Sequence, residues 1–190
     1  KARAGIEKNL QSLAEKNKIT PEEKDRTIQR ILFTGDLHQC LAEVIIEAII
    51  EKPEAKIALF NQMAEINHGE TVFATNTSSL SVTEIAKDVL HPQRVIGMHF
   101  FNPATIMKLV EIVNTKYTNE STTQLIKELA LAMGKTPVLC KDSPGFIVNR
   151  VARPYYIEAL RIAEEGKTDF ASVDSLLEST GFKMGPFKLM

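Results

Sequence analysis

The chain has 190 residues, 44% of them hydrophobic, with 23 lysines and arginines against 24 aspartates and glutamates. That composition suits one globular domain, or one and part of a second, and excludes a disordered polar chain. Charges of both signs are interspersed without a basic run, so no nucleic-acid or membrane partner is expected.

Residues 3–16 put Ile6, Leu10 and Leu13 at helical spacing, and Thr20-Pro21-Glu22-Glu23 supplies an N-cap, a first-turn proline and a capping-box glutamate. Two helices therefore open the chain. The opening KARAGIEKNL has the pattern of an amphipathic helix rather than a signal peptide, and no apolar run approaches the ~18 residues of a membrane span, so a cytoplasmic protein is expected. ILFTG (31–35) and EVIIEAII (43–50) follow as apolar runs, the second a β-branched stretch consistent with a strand buried on both faces in a parallel sheet. Pro53 to Asn67 carries Ile57, Phe60, Met63 and Ile66 as a helical stripe, and TVFATN (71–76) reads as the next strand. SVTEIAKDV is a short helix with Ser81 as its cap and Glu84 three places on. RVIGMHFF and KLVEIV are strands, residues 120–133 a helix ended by Gly134, and TPVLCKD a further strand. From Pro144 the texture changes: GFIVNRVARPYYIEALRIAEEG is a long amphipathic helix and ASVDSLLEST another. The order predicts an α/β fold, a doubly wound (Rossmann-type), mainly parallel sheet, leading into helices past a boundary near Asp142.

A parallel sheet gathers its functional groups at the carboxyl ends of its strands. There the chain offers Asn76, Thr77, Ser78 and Ser79 after one strand, His99 after another, and Asn149 early in the long helix. Alternation puts Leu109, Glu111 and Val113 on one face, and a carboxylate among such neighbours is costly unless paired. His99, twelve positions earlier, is a partner that adjacent strands can deliver; the pair would fix the imidazole's tautomer and make it a general base. Each residue also has a structural reading: a satisfied histidine at a strand end, a glutamate facing water from an edge strand, a loop composition, a helix cap. Cys40 and Cys140 match no metal or redox spacing and are expected as core thiols, with no metal site.

NTSSLSVTEIA, RVIGMHFFNPATIMKLVEIV, KDSPGFIVNR and the terminal MGPF together closely resemble the NAD-dependent L-3-hydroxyacyl-CoA dehydrogenases, 3-hydroxybutyryl-CoA dehydrogenases among them, through nearly the whole chain. The resemblance implies that His99 is the base removing the 3-hydroxyl proton and Glu111 its carboxylate partner. It makes Ser78 the hydroxyl bonded to the substrate oxygen, and Asn149 the amide holding serine and substrate. Glu51, Lys56, Asn76, Ser78 and Asn102 become NAD contacts, and Lys16, with Asn9 a weaker candidate, contacts of coenzyme A. Phe100 and Phe101 would pack the wall or simply belong to the core. The cofactor's glycine-rich phosphate turn does not occur: no GxGxxG is found among the nine scattered glycines. The family carries it ahead of this chain's first helix and continues beyond GPFKLM. The resemblance therefore implies an internal piece of an enzyme that is an NAD-binding domain over residues 1–141 and the start of a helical dimerisation and substrate domain over 142–190. A homodimer acting on an acyl-CoA substrate is expected, and an exposed sheet edge could drive association. Two rivals stand beside this reading: a non-catalytic binding module of the same fold, and a sister dehydrogenase acting on a sugar acid.

Overall fold

The computed structural model describes residues 2–67 and 69–189, in two compact units, Lys1–Leu41 and Ala42–Met190. In the first, α1 (Ala2–Glu15) and α2 (Pro21–Gln29) form as the spacing predicts. The capping box closes in both directions: Thr20 N–H donates to Glu23 Oε2 at 2.8 Å and Glu23 N–H to Thr20 Oγ1 at 3.2 Å. ILFTG forms no strand. Its apolar run is short, Leu32 is 70% exposed, and Asp36 instead caps a single 3₁₀ turn, Leu37–Gln39, by accepting from His38 N–H.

The second unit holds a five-stranded sheet in sequential order: β1 (Val44–Glu47), β2 (Val72–Thr75), β3 (Val95–Phe100), β4 (Leu109–Asn114) and β5 (Thr136–Lys141). β1, β2 and β3 run parallel, joined through α3 (Pro53–Ile66) and α4 (Val82–Lys87), and β4 and β5 run parallel through α5 (Glu120–Ala132). Between β3 and β4 only residues 101–108 are available. That is too few for a parallel crossover, so β4 returns antiparallel. One face of the sheet packs Val72, Ala74, Ile96, Met98, Val110 and Ile112 against Ile126 and Ala130 of α5. On the other face lie Phe73, its ring 5.4 Å from that of Phe60 on α3, and Gly97 beneath α4. Helices thus cover both faces of the sheet.

The EVIIEAII run is a corrected expectation. Only Val44–Glu47 is strand; it pairs with β2 alone among the described strands, and Ile46, Ile49 and Ile50 are 38%, 43% and 61% exposed rather than buried. The strand stops because the Glu47 carboxylate accepts from Ile49 N–H at 2.6 Å and turns the backbone out of the sheet.

Gly97 is required by close approach. A Cβ there would meet Val113 Cβ at 2.7 Å and Val82 Cγ2 at 3.1 Å. Gly97→Ala is expected to destabilise the protein by roughly 1–3 kcal/mol through overpacking, read as a lower urea midpoint with unchanged slope.

After β5 come α6 (Val148–Glu164), α7 (Phe170–Ser179) and the short α8 (Pro186–Leu189). Asp169 caps α7, and the buried Asp174 carboxylate receives Phe187 N–H at 2.9 Å, fastening α8 to α7. Among the described residues no helix is long and apolar enough to cross a membrane.

Candidate active site

His99 and Glu111 are register partners across β3 and β4, so their side chains leave the same face of the sheet. Nδ1 of His99 lies 2.7 Å from Oε2 of Glu111, with residue exposures of 6% and 1%. A carboxylate only accepts, so Nδ1 carries the hydrogen and Nε2 is left as the acceptor nitrogen. The second carboxylate oxygen, Oε1, accepts from the backbone N–H groups of Ile147 at 2.9 Å and Val148 at 2.8 Å. These amides open α6, where the helix dipole favours negative charge. One buried glutamate therefore orients the imidazole and pins the long helix to the sheet.

Phe101 and Phe146 wall the histidine, their ring centroids 4.6 Å and 5.8 Å from it. Phe146 adopts φ of 46°, a costly conformation for a bulky residue, immediately after Gly145 at φ 75°. Phe100 instead packs on the core cluster, so the two phenylalanines divide between wall and core.

The loop after β2 is held by a buried ion network that sequence reasoning missed. Lys56 Nζ, on a residue 1% exposed, lies 2.7 Å from Glu47 Oε1 and 3.1 Å from Glu51 Oε2. Glu47 Oε2 accepts from Thr75 Oγ1 at 2.7 Å. Glu51 Oε1 accepts from the Thr77 hydroxyl and from Ser78 N–H. Burial works against the Glu51 charge, but the Thr77 hydroxyl, Lys56 and Ser78 N–H outweigh it and hold this carboxyl below its usual range. The tie to the Ser78 loop is therefore present above that range and lost only as pH falls through the lowered value. The signal for Glu47 existed: like Glu111, it is a carboxylate inside an apolar strand run.

Ser78 is exposed, and its hydroxyl has no partner among the described residues. Asn149 Nδ2 donates to the Ser78 backbone carbonyl at 3.3 Å, joining α6 to the loop. Asn76 Oδ1 accepts from Phe100 N–H at 2.8 Å, tying the ends of β2 and β3 together, and Asn102 is exposed just past His99. Asp142, marked in the sequence only as a boundary, accepts from Ser81 Oγ and Thr83 N–H, both at 2.7 Å, locking the start of α4 to the approach to α6. His99, Glu111, Ser78, Asn149, Asn76, Glu51 and Lys56 are thus linked through one set of strand ends. Lys56 is enclosed by two carboxylates rather than open to a ligand. Asn9, on α1, and Lys16, just beyond it, are exposed in the other compact unit.

The expected core thiols are corrected: Cys40 and Cys140 are both only half-buried. Cys140 sits on β5, where the sheet's outer strand alternates toward solvent. Burial, with the charges of Glu111 and Asp142, pushes its thiol up to about 11. Little thiolate forms at neutral pH, so iodoacetamide should label Cys140 far more slowly than free cysteine at pH 7.5, with mass spectrometry of tryptic peptides as the readout. Among the described residues no group of three or more His, Cys, Asp or Glu could hold a metal ion.

Residues 1–143 match the family profile described as 3-hydroxyacyl-CoA dehydrogenase, NAD binding domain, and residues 145–190 match 3-hydroxyacyl-CoA dehydrogenase, C-terminal domain. The 3-hydroxyadipyl-CoA dehydrogenase of Escherichia coli (strain K12) is 46% identical over 187 residues, 97% of this chain and 39% of that protein. The mitochondrial hydroxyacyl-coenzyme A dehydrogenase of Homo sapiens is 37% identical over 198 residues, 100% of this chain and 63% of that protein. Among solved structures, 3-hydroxybutyryl-CoA dehydrogenase from Escherichia coli K12 aligns with a TM-score of 0.94 at 46% identity, covering 99% of this chain and 40% of that one. The (S)-3-hydroxybutyryl-CoA dehydrogenase of Ralstonia eutropha also gives 0.94, at 32% identity, over 98% of this chain and 66% of that one. The chain spans 39% and 63% of the length of the two curated relatives.

Proposed function

The chain belongs to the 3-hydroxyacyl-CoA dehydrogenase family, and from that premise we propose that it carries the catalytic groups of an NAD-dependent oxidation of (S)-3-hydroxyacyl-CoA to 3-oxoacyl-CoA. The observation that carries the proposal is the buried His99–Glu111 pair, with Nδ1 engaged at 2.7 Å and Nε2 left to take a proton. When bound, NAD supplies the acceptor for the hydride that leaves C3. His99 Nε2 takes the hydroxyl proton as the C3–O bond becomes a carbonyl, and the Glu111 carboxylate stabilises the imidazolium that results. The Ser78 hydroxyl donates to the reacting oxygen. Asn149 keeps that loop at its distance through the Ser78 carbonyl and offers its amide to the substrate. Phe101 and Phe146 keep water from the imidazole.

The residues present fit a nicotinamide cofactor on their side of the cleft. Glu51, with 39% of its side chain exposed and its charge secured, can accept from ribose hydroxyls, with Asn76, Ser78 and Asn102 toward the nicotinamide. Lys56 acts on the cofactor through Glu51. Lys16 and Asn9 are the proposed coenzyme A contacts of the first unit. Residues 1–141 would then be the cofactor-binding part and 142–190 the beginning of the helical part. Its exposed Val151, Leu160, Leu176 and Phe182 suit a homodimer. Cys40 and Cys140 as thiols, with no disulfide, suit the cytoplasm.

NADH-dependent reduction of acetoacetyl-CoA is the test. Turnover by the protein supports the proposal; acyl-CoA binding without turnover favours a binding module, and preference for free hydroxy acids over thioesters favours the sugar-acid branch.

A further inference from the structure

Thr77 lies just past the end of β2, between the carboxylate proposed for the cofactor and the serine proposed for the substrate. It is 1% exposed, and its hydroxyl is fully used. The hydroxyl donates to Glu51 Oε1 and accepts the N–H groups of Ser79 at 3.3 Å and Leu80 at 3.0 Å. Its one proton and both lone pairs are thereby engaged. The Thr77 N–H reaches Thr75 Oγ1 at 3.4 Å, the hydroxyl that donates to the buried Glu47.

Ser78 is the opposite case. Its hydroxyl has no partner among the described residues, so backbone contacts alone place it. Its N–H donates to Glu51 Oε1 at 3.2 Å, its carbonyl accepts from Asn149 Nδ2 at 3.3 Å, and the two residues after it are gathered on the Thr77 hydroxyl. The Ser78 N–H and the Thr77 hydroxyl thus share one oxygen of Glu51. The other oxygen, Oε2, lies 3.1 Å from Lys56 Nζ on a side chain 39% exposed, which leaves it able to accept from a ligand hydroxyl. A ligand held there fixes the carboxylate and, with it, the direction in which the Thr77 hydroxyl points.

We propose that Thr77 is a positioning residue whose hydroxyl transmits occupancy of Glu51 to Ser78, so that cofactor and acyl-CoA each tighten the binding of the other. The proposal rests on the dehydrogenase reading above, which assigns those two ligands. When a ribose hydroxyl holds Glu51, the Thr77 hydroxyl keeps its acceptor, Ser79 and Leu80 keep theirs, and the loop bearing Ser78 is ordered before substrate arrives. The second ligand meets that ordering already done, and by linkage the gain is the same whichever ligand binds first.

The test measures Kd for acetoacetyl-CoA by calorimetry, alone and with saturating NAD, two oxidised ligands between which no hydride passes. In wild type NAD should tighten acetoacetyl-CoA on the order of 10-fold. Thr77→Val, which keeps the shape and removes the hydroxyl, should bring that ratio to within about twofold of unity, and Thr77→Ser should retain it. A threonine that only supports the fold would, as valine, lower the urea midpoint and weaken both binary complexes while leaving the ratio as in wild type. That result overturns the proposal, as does a wild-type ratio near unity or a serine variant that behaves as the valine one. Should NAD not bind, the cofactor reading fails; in that event, or if Thr77→Val does not fold, transmission is judged by amide hydrogen exchange in the ligand-free protein. Leu80 N–H donates to Thr77 and not to Glu51. Exchange at Leu80 that is faster on the order of 10-fold in Glu51→Ala upholds transmission through the threonine, and unchanged exchange rejects it.

Discussion

Replacing His99 with glutamine is expected to lower kcat for 3-hydroxyacyl-CoA oxidation by roughly 10²–10⁴-fold, the usual contribution of a positioned general base. Glutamine keeps an N–H donor within reach of Glu111 Oε2, so the buried carboxylate retains a partner and the fold is largely spared. KM should change far less than kcat, because substrate contacts from Ser78 and Asn149 remain. The check is steady-state kinetics beside near-ultraviolet circular dichroism and a urea melt. A variant with native spectra and kcat within threefold of wild type would remove His99 from the chemistry.

The second large effect is on stability. Lys56→Met leaves the Glu47 carboxylate, whose side chain is 0% exposed, without its cation. The N–H of Ile49 and the hydroxyl of Thr75 still donate to it, but breaking a buried pair from one side typically costs about 3–5 kcal/mol. The loss should appear as a lower urea midpoint. Adding Glu47→Gln removes the orphaned charge, and the double variant should regain most of the loss, a coupling that two independent sites could not produce. A single variant within ~1 kcal/mol of wild type would mean that the network contributes nothing net. Because Glu51 shares Lys56, the single variant should also loosen the Ser78 loop and raise KM for the cofactor.

What could be read in the sequence was what local chemistry decides. Thr20 with Glu23, and Ser81 with Glu84, mark helix starts through contacts three residues apart, and both caps form. Strand alternation put Glu111 inward, and the eight positions 101–108 force the hairpin-like return that sets it opposite His99. What could not be read depends on partners far along the chain. The strand at Val44–Glu47 ends early because Glu47 turns toward Ile49 while held by Lys56 and Thr75, nine and 28 residues away. The resemblance makes Asn149 the amide that holds the serine, but the atom it reaches, the Ser78 carbonyl 71 positions distant, has no local signal in the chain. The two amides of α6 that grip Glu111 are backbone groups and leave no mark on residue identity. Their effect is to couple the position of Asn149 to the carboxylate that orients the base.

The most direct measurement is the tautomeric state of His99 by ¹⁵N-detected NMR of the imidazole-labelled protein. The account predicts, for the neutral ring, a protonated Nδ1 and a free Nε2, and a loss of that bias in Glu111→Gln. Protonation at Nε2 with Nδ1 bare, or a ring indifferent to Glu111, would contradict it.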